Sequence, residues 1–356
     1  MYTYKIFDSV TKECEDIFNT KEVKFNLTFF QHIDYIKEIT KHNKSNLKII
    51  IIYYKNSVLT ILPFEIKKYF FIRVLQWIGT EYADYCNPIL SKSLQSNFNK
   101  KHFLDTWNLI LDEIKNGLDL VFLNNQLALI NEQPNPFVKY FETSKFSTVY
   151  NIDLNCNFND YKEQIKIKNK KHAYEIHRTM IKYEKLKEIS NNLKIVIQDS
   201  DHDLIDFDKI AKEKKDQLYK KNTNNKLNKT FKKIFKNLIQ LKKIKFYLIS
   251  FVYEDKALSR CFGFVYDSTF YYYIPTILSN SLTSYKPGKI LILQLIQWCI
   301  NNNISKFDFG LGSEKYKKYF SNKEISLHRY LKFCTLKGFV AYFFILIILK
   351  IKKLLP

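Results

Sequence analysis

Phe270-Tyr-Tyr-Tyr-Ile-Pro-Thr276, Ser281-Leu-Thr-Ser-Tyr-Lys-Pro-Gly288, Lys289-Ile-Leu-Ile-Leu-Gln-Leu-Ile-Gln-Trp-Cys-Ile300, Asn301-Asn-Asn303 and Ser305-Lys-Phe-Asp-Phe309 follow one another and decide the fold of this chain. The first is aromatic and β-branched, as a buried strand requires. The second is a run of turn formers. The third carries Ile290, Leu291, Leu293, Leu295, Ile296 and Ile300, enough apolar positions for a buried helix. Asparagine tolerates the left-handed cap that ends it. A short strand and a basic loop, Gly310-Leu-Gly-Ser-Glu-Lys-Tyr-Lys-Lys-Tyr319, close the unit.

A strand–glycine turn–helix–strand unit turns unpaired backbone N–H groups toward solvent at the helix N-terminus, where the helix dipole is positive. Such a mouth holds a phosphate or pyrophosphate. Lys286 and Lys289 beside Gly288 strengthen that reading. The alternative is an ordinary helix start with Pro287 in the first turn.

Tyr285-Lys-Pro-Gly-Lys-Ile290 and Phe307-Asp-Phe-Gly-Leu-Gly-Ser-Glu-Lys-Tyr-Lys-Lys318 resemble the end of the acyltransferase domain in CelD-type proteins. These are GNAT-superfamily members named after a cellulose-biosynthesis protein and related to the FemABX peptidyl transferases. Pro287, Gly288, Asp308, Phe309, Gly312, Tyr316 and Lys317 match the family pattern. The wider GNAT signature, Arg/Gln-x-x-Gly-x-Gly/Ala, is met only at Gly288, with Tyr285 and Ile290 at its other positions. The match is clearest over 161–320 and fainter over 26–90, where Gly79 to Asp84-Tyr85 is similar to the family's Gly-x-x-x-x-Asp-Tyr segment.

The resemblance implies an α+β chain of two tandem GNAT-like domains, each a mixed, mostly antiparallel sheet flanked by helices. Internal order agrees with it. Trp107-Asn-Leu-Ile-Leu-Asp-Glu-Ile-Lys-Asn-Gly117 parallels Leu293-Gln-Leu-Ile-Gln-Trp-Cys-Ile-Asn-Asn-Asn303, each after a hairpin and an aromatic strand. Glu132-Gln-Pro-Asn-Pro136 is the expected crossover. The domains read as 1–150, 151–335 and a terminal apolar and basic helix, 336–356.

Outward from there, 47–54 and 57–62 form a hairpin around Lys55-Asn56. Residues 69–78 are a third strand, 103–115 a helix and 118–123 a strand. In the second half, 161–189 is a long basic helix, 193–198 a strand and 201–218 an amphipathic helix. A polar loop at 220–229 precedes a helix at 230–241 and a hairpin over 244–265.

The site residues follow by chemistry and by resemblance. Lys286, Gly288 and Lys289 are expected to hold the phosphates of an acetyl-CoA or other acyl-CoA donor. Lys171, Tyr174 and Arg178 share a face of the basic helix, and with Lys317 they are expected to bind substrate anions. Asp308 ends a strand where α/β sites gather side chains. It serves as general base, or accepts backbone N–H bonds from the glycine loop. Glu314 and Tyr316 are the alternative proton carriers. GNAT chemistry needs no covalent intermediate, so no nucleophile triad is expected. His172 and His177 lack metal-ligand spacing, and no metal is expected.

The totals bound the rest. Lys+Arg 57 against Asp+Glu 35 gives a net charge of +22 in 356 residues, so anionic partners fit. Lysine is the default cation, and arginine stands only at Arg73, Arg178, Arg260 and Arg329. An arginine kept against that bias points to use of its planar fork. The six cysteines are scattered and read as buried free thiols of a reducing compartment. No signal peptide opens the chain, which reads as cytoplasmic.

The expected acceptor is an amine or hydroxyl on a sugar, nucleotide-sugar or cell-envelope precursor. A FemABX-like transferase using aminoacyl-tRNA and a non-catalytic envelope-assembly protein are the alternatives. DNA is not expected, because the aromatics lie in strand patterns and not between basic residues. The apolar run 339–349 is too short to span a bilayer. With Lys350, Lys352 and Lys353 it reads as a membrane-surface helix over 339–353, or as a helix that covers the sheet.

Overall fold

A computed structural model of the protein describes residues 2–24, 28–42, 46–189, 192–203, 205–219, 227–278 and 282–354. Two compact units divide the chain, 1–147 with 326–356, and 148–325.

The chain begins with β1 (Thr3–Phe7), α1 (Ile33–His42), β2 (Asn46–Tyr54), β3 (Ser57–Tyr69), β4 (Ile72–Trp77), α2 (Lys100–Ile114) and β5 (Leu120–Leu127). It continues through β6 (Thr143–Asp153), α3 (Phe158–Lys168), α4 (Lys170–Ile189), β7 (Leu193–Asp199), α5 (Phe207–Tyr219) and α6 (Lys229–Gln240). Then come β8 (Lys245–Tyr253), β9 (Lys256–Tyr266), β10 (Thr269–Ile277), α7 (Pro287–Asn301), β11 (Lys306–Leu311) and α8 (Lys315–Phe320). The chain ends with β12 (Lys323–Phe333) and α9 (Leu336–Leu354).

The sheet of the first unit runs β1-β2-β3-β4-β5-β12, that of the second β7-β8-β9-β10-β11-β6. In each, one pair is parallel, β4 with β5 and β10 with β11, and the other pairs are antiparallel. The parallel pairs are the ones joined through a helix, α2 or α7, as a crossover demands. This is the tandem α+β organisation expected from the sequence.

The compact units do not follow the division 1–150, 151–335 and 336–356. β12 comes after the second unit in sequence, yet it pairs with β5, from Leu327↔Leu127 to Phe333↔Leu120. β6 comes before most of the second unit and supplies that sheet's partner for β11. Sheet pairing takes 326–335 to the first unit, and α9 follows, packing Ala341, Tyr342 and Ile345 on Ile72, Val74 and Leu120.

The hairpin turn at Lys55-Asn56 has the positive φ values, 47° and 65°, that a two-residue hairpin loop needs. The basic helix is two helices. Asn169 is extended at φ −163°, and its Oδ1 accepts the Lys171 N–H at 2.9 Å to cap α4. Ile176, Met180 and Tyr183 of α4 face the core beside Ile290, Leu291 and Leu295 of α7. The helix expected at 201–218 spans Phe207–Tyr219, because Asp199 bonds the amides of Asp201 and His202 in a preceding turn. Most of the polar loop 220–229 lies outside the described residues. Cys14, Cys86, Cys261 and Cys299 are buried, Cys156 is half-buried and Cys334 is exposed.

His172, at the start of α4, is buried with its ring edge-on to Tyr319 at 5.5 Å. Burial, then the charges of Lys318 and Lys168, hold its imidazole below the ordinary value. The unfolded chain takes up a proton near pH 6.5 that the folded one refuses. Stability from this source is therefore complete above about pH 6.5 and is lost as pH falls below it. His172→Phe should flatten part of the acid limb in urea unfolding followed from pH 7.5 to 5. An unchanged pH dependence in the variant would remove His172 from the account.

Candidate active site

β10 and β11 run side by side only from Thr269↔Lys306 to Tyr271↔Asp308. Beyond that point β10 continues to Ile277 along β9, and β11 continues to Leu311 along β6. A gap therefore opens between the two strands at their carboxyl ends. A bulge lies on the other side of β10, where Gly263 stands opposite Tyr272 while Phe262 stands opposite Ile274. Tyr273 is the extra residue of this bulge.

α7 starts at the end of β10. Gly288 lies so close to Ile277 that an added Cβ would sit 3.1 Å from its side chain. Ser259 Oγ donates to Pro287 O at 3.1 Å and ties the helix start to β9. The N-cap residue, Lys286, is left-handed at φ 60° and gives no side-chain cap. Lys289 N and Ile290 N donate back to Lys286 O. Pro287 has no N–H. Among the described residues, the Gly288 N–H alone in this first turn has no acceptor.

Cations surround this amide. Lys182 donates to Ser284 O in the turn before the helix. Burial, then Arg178, Lys286 and Lys289, hold the Lys182 ammonium below its ordinary value. Glu175 is the carboxylate among them. It bonds Lys289 Nζ at 2.8 Å and lies 3.7 Å from Arg178. The Lys289 bond, with Arg178 and Lys182, keeps Glu175 ionised below the usual carboxylate range. Lys289 also lies over the Tyr319 ring. Its ammonium is thus shared within the protein, whereas Lys286 is exposed.

Lys171 and Tyr174 are exposed one turn earlier on α4, and no hydrogen bond or ion pair among the described residues joins their side chains to the cluster. Lys182 was not singled out from sequence, although it lies four residues beyond Arg178 on the same helix face. The arginines explain one another. Arg73 forks onto Asp119, Arg260 pairs with Glu213, and Arg329 stacks on Phe146 and Phe122. Arg178 is 57% exposed, with Glu175 at 3.7 Å as its ion-pair partner.

The opposite lip is the β11–α8 turn. Asp308 is buried, and its Oδ1 accepts the Gly310 N–H at 2.7 Å. The Asn151 amide, in its satisfied orientation, donates to the same oxygen at 3.2 Å. Lys317 is buried too, with Nζ bonded to Leu311 O at 2.8 Å and 3.0 Å from Glu314 Oε2. Gly312, at φ +126°, leaves room for both, since its Cβ would meet Glu314 and Lys317 at 2.4 and 3.0 Å. Asp308 and Lys317 therefore shape the turn. The expectation that Lys317 binds a substrate anion meets an ammonium already enclosed by the chain.

Tyr316 differs. It packs on Phe309 and feels Cys261 and Tyr272 across the gap. Burial, then Glu314 and Cys261, push its phenol far up, so it stays protonated. Glu314, the N-cap of α8, is exposed beside it. Among the described residues no group of three or more His, Cys, Asp or Glu is placed to hold a metal ion.

Among the described residues, the first unit has no such opening. Its parallel pair, Val74↔Leu120 and Leu75↔Val121, also parts early. Buried Ala83, Tyr85, Cys86 and Asn87 fill that space. Cys86 N donates to Asn125 O at 3.0 Å, and Asn87 Oδ1 accepts from Leu127 N at 2.8 Å. The start of α2 is closed by Asn99 Oδ1, which accepts from His102 N at 3.0 Å. The segment from Gly79 to Tyr85 is the start of this plug.

Residues 170–318 match the family described as "Acetyltransferase (GNAT) domain". FemX is similar in fold, with a TM-score of 0.52 at 9% identity over 90% of this chain and 96% of that one. A tandem GNAT protein from the clavulanic acid biosynthesis pathway gives 0.52 at 6% identity over 94% and 99%. The C-terminal domain of a putative lysylphosphatidylglycerol synthetase from Agrobacterium fabrum gives 0.50 at 9% over 93% and 95%. No curated protein matches the sequence.

Proposed function

We propose that this chain, a GNAT acyltransferase relative with the tandem fold of FemX, transfers an acyl group from acyl-CoA in its second unit. The acceptor is an amine or hydroxyl of a sugar, nucleotide-sugar or cell-envelope precursor, and the reaction takes place in the cytoplasm. One observation supports this above all. The unpaired Gly288 amide sits among Arg178, Lys182, Lys286 and Lys289 at the mouth of the strand gap. That is a site for a diphosphate whose attached chain runs between β10 and β11.

In this reading Gly288, Lys286, Lys182 and Arg178 bind the donor, and Lys289 is held in place by Glu175. The thioester carbonyl lies in the gap between β10 and β11, held there for attack. Glu314 takes the proton of the attacking amine or hydroxyl. The carbon–sulfur bond breaks as the protonated Tyr316 phenol gives its proton to the leaving thiolate. Asp308 and Lys317 position the turn that carries both.

A second reading has support in the same charge. A basic mouth on a chain of net charge +22 also fits a larger polyanion, the aminoacyl-tRNA of a FemABX-like transfer. Thiol release from acetyl-CoA, followed with a panel of amino sugars and nucleotide-sugars, separates the two. Acyl-CoA transfer predicts acceptor-dependent thiol release that ribonuclease leaves untouched. Label transfer from charged tRNA that ribonuclease abolishes, with no thiol release, would replace it by the second reading.

A further inference from the structure

We infer that the first unit docks on an anionic lipid bilayer through the tip of the β3–β4 hairpin together with the outward face of α9. Phe70, left-handed at φ 54°, is 95% exposed, and Phe71 is 69% exposed. Tyr69 holds the base of the tip, its hydroxyl donating to Gln76 Oε1 at 2.9 Å. α9 is anchored by its inner face and pinned at its start, where a Cβ on Gly338 would fall 1.8 Å from Asp119 O. Its other face leaves Phe343, Phe344 and Ile347 exposed. Ile72 joins the two elements. It begins β4 directly after Phe71 and lies under α9. Apolar side chains this exposed on a fixed scaffold mark a contact surface.

Charge identifies the occupant. Residues 66–74 and 336–356 contain no Asp or Glu, and carry Lys67, Lys68, Arg73, Lys337, Lys350, Lys352 and Lys353. Lys67 and Arg73 have carboxylate partners in Glu81 and Asp119. Lys68 and Lys337 are exposed. In a two-fold dimer this surface would face itself and set lysine against lysine. An anionic headgroup layer instead accepts the lysines while the aromatics enter its apolar boundary. Among the described residues no helix is long and apolar enough to cross a membrane, which leaves docking at the surface as the mode. Docking there is independent of the transfer chemistry, because its residues all lie in the first unit.

Co-sedimentation of the full chain with vesicles tests this. Phosphatidylcholine vesicles containing about 30% phosphatidylglycerol should bind it about tenfold more tightly than phosphatidylcholine alone, and less as salt rises. The Phe70→Ser/Phe71→Ser double variant should lose about tenfold or more. Both side chains are in solvent, so the circular dichroism spectrum should be unchanged. A Phe70→Trp variant should shift its emission to the blue only with the anionic vesicles. No binding to anionic vesicles would overturn the inference, as would equal binding by the double variant. So would a dimer that the double variant dissolves without any vesicle binding.

Discussion

Tyr316→Phe should lower kcat by about 100- to 1,000-fold while leaving donor affinity and stability near those of the native chain. The phenyl ring keeps its contact with Phe309, and only the hydroxyl is lost. Tyr316 is half-buried, and burial, then Glu314 and Cys261, push its phenol up, so it stays protonated through the working pH range. A protonated phenol has a hydrogen to offer a departing thiolate, first as a hydrogen bond and then as the proton itself once charge has built up on sulfur. The effect should fall on kcat and not on KM, because the phenol matters once the carbon–sulfur bond lengthens. A donor with a more acidic thiol should recover part of the loss. Native rates in the variant would make the tyrosine a packing residue.

Gly263→Ala should destabilise the second unit by about 3 kcal/mol, at the upper end for overpacking. An added Cβ would lie 2.6 Å from Tyr271 O and 2.7 Å from Phe270 Cζ. The first of these is backbone and cannot rotate away. Relief requires moving β10, and the bulge at Tyr273 would be the first feature lost. Urea unfolding should show a lower midpoint with little change in slope. What protein remains folded should bind donor less well. A loss below about 1 kcal/mol would mean that the bulge tolerates a methyl group and is not a fixed part of the gap.

Much of this was legible because it is local. Turn residues and helix period placed the β10–α7–β11 unit, and Lys55-Asn56 fixed a hairpin through its two positive φ values. Both alternatives for Asp308 rested on its place at a strand end, and the Gly310 N–H bond accounts for its carboxylate. What escaped was long-range. Nothing near 323–333 announces that this strand pairs with 120–127, since pairing between distant strands is not written in either one. Lys317 matched a pattern, but pattern cannot tell an ammonium facing solvent from one turned onto Leu311 O. Lys182 lay in plain view on the Arg178 face, hidden by the number of lysines around it. Phe70 falls in the strand expected over 69–78, and only the turn between β3 and β4 shows it standing in water.

Calorimetric titration of coenzyme A into the native chain and into a Lys182→Glu/Lys286→Glu double variant addresses the grip at the start of α7 most directly. The native chain should bind one equivalent, more weakly at high salt, and the charge-reversed variant should lose about 100-fold or more in affinity. Equal binding by the two proteins, or none by the native chain, would contradict a donor held by its phosphates at Gly288.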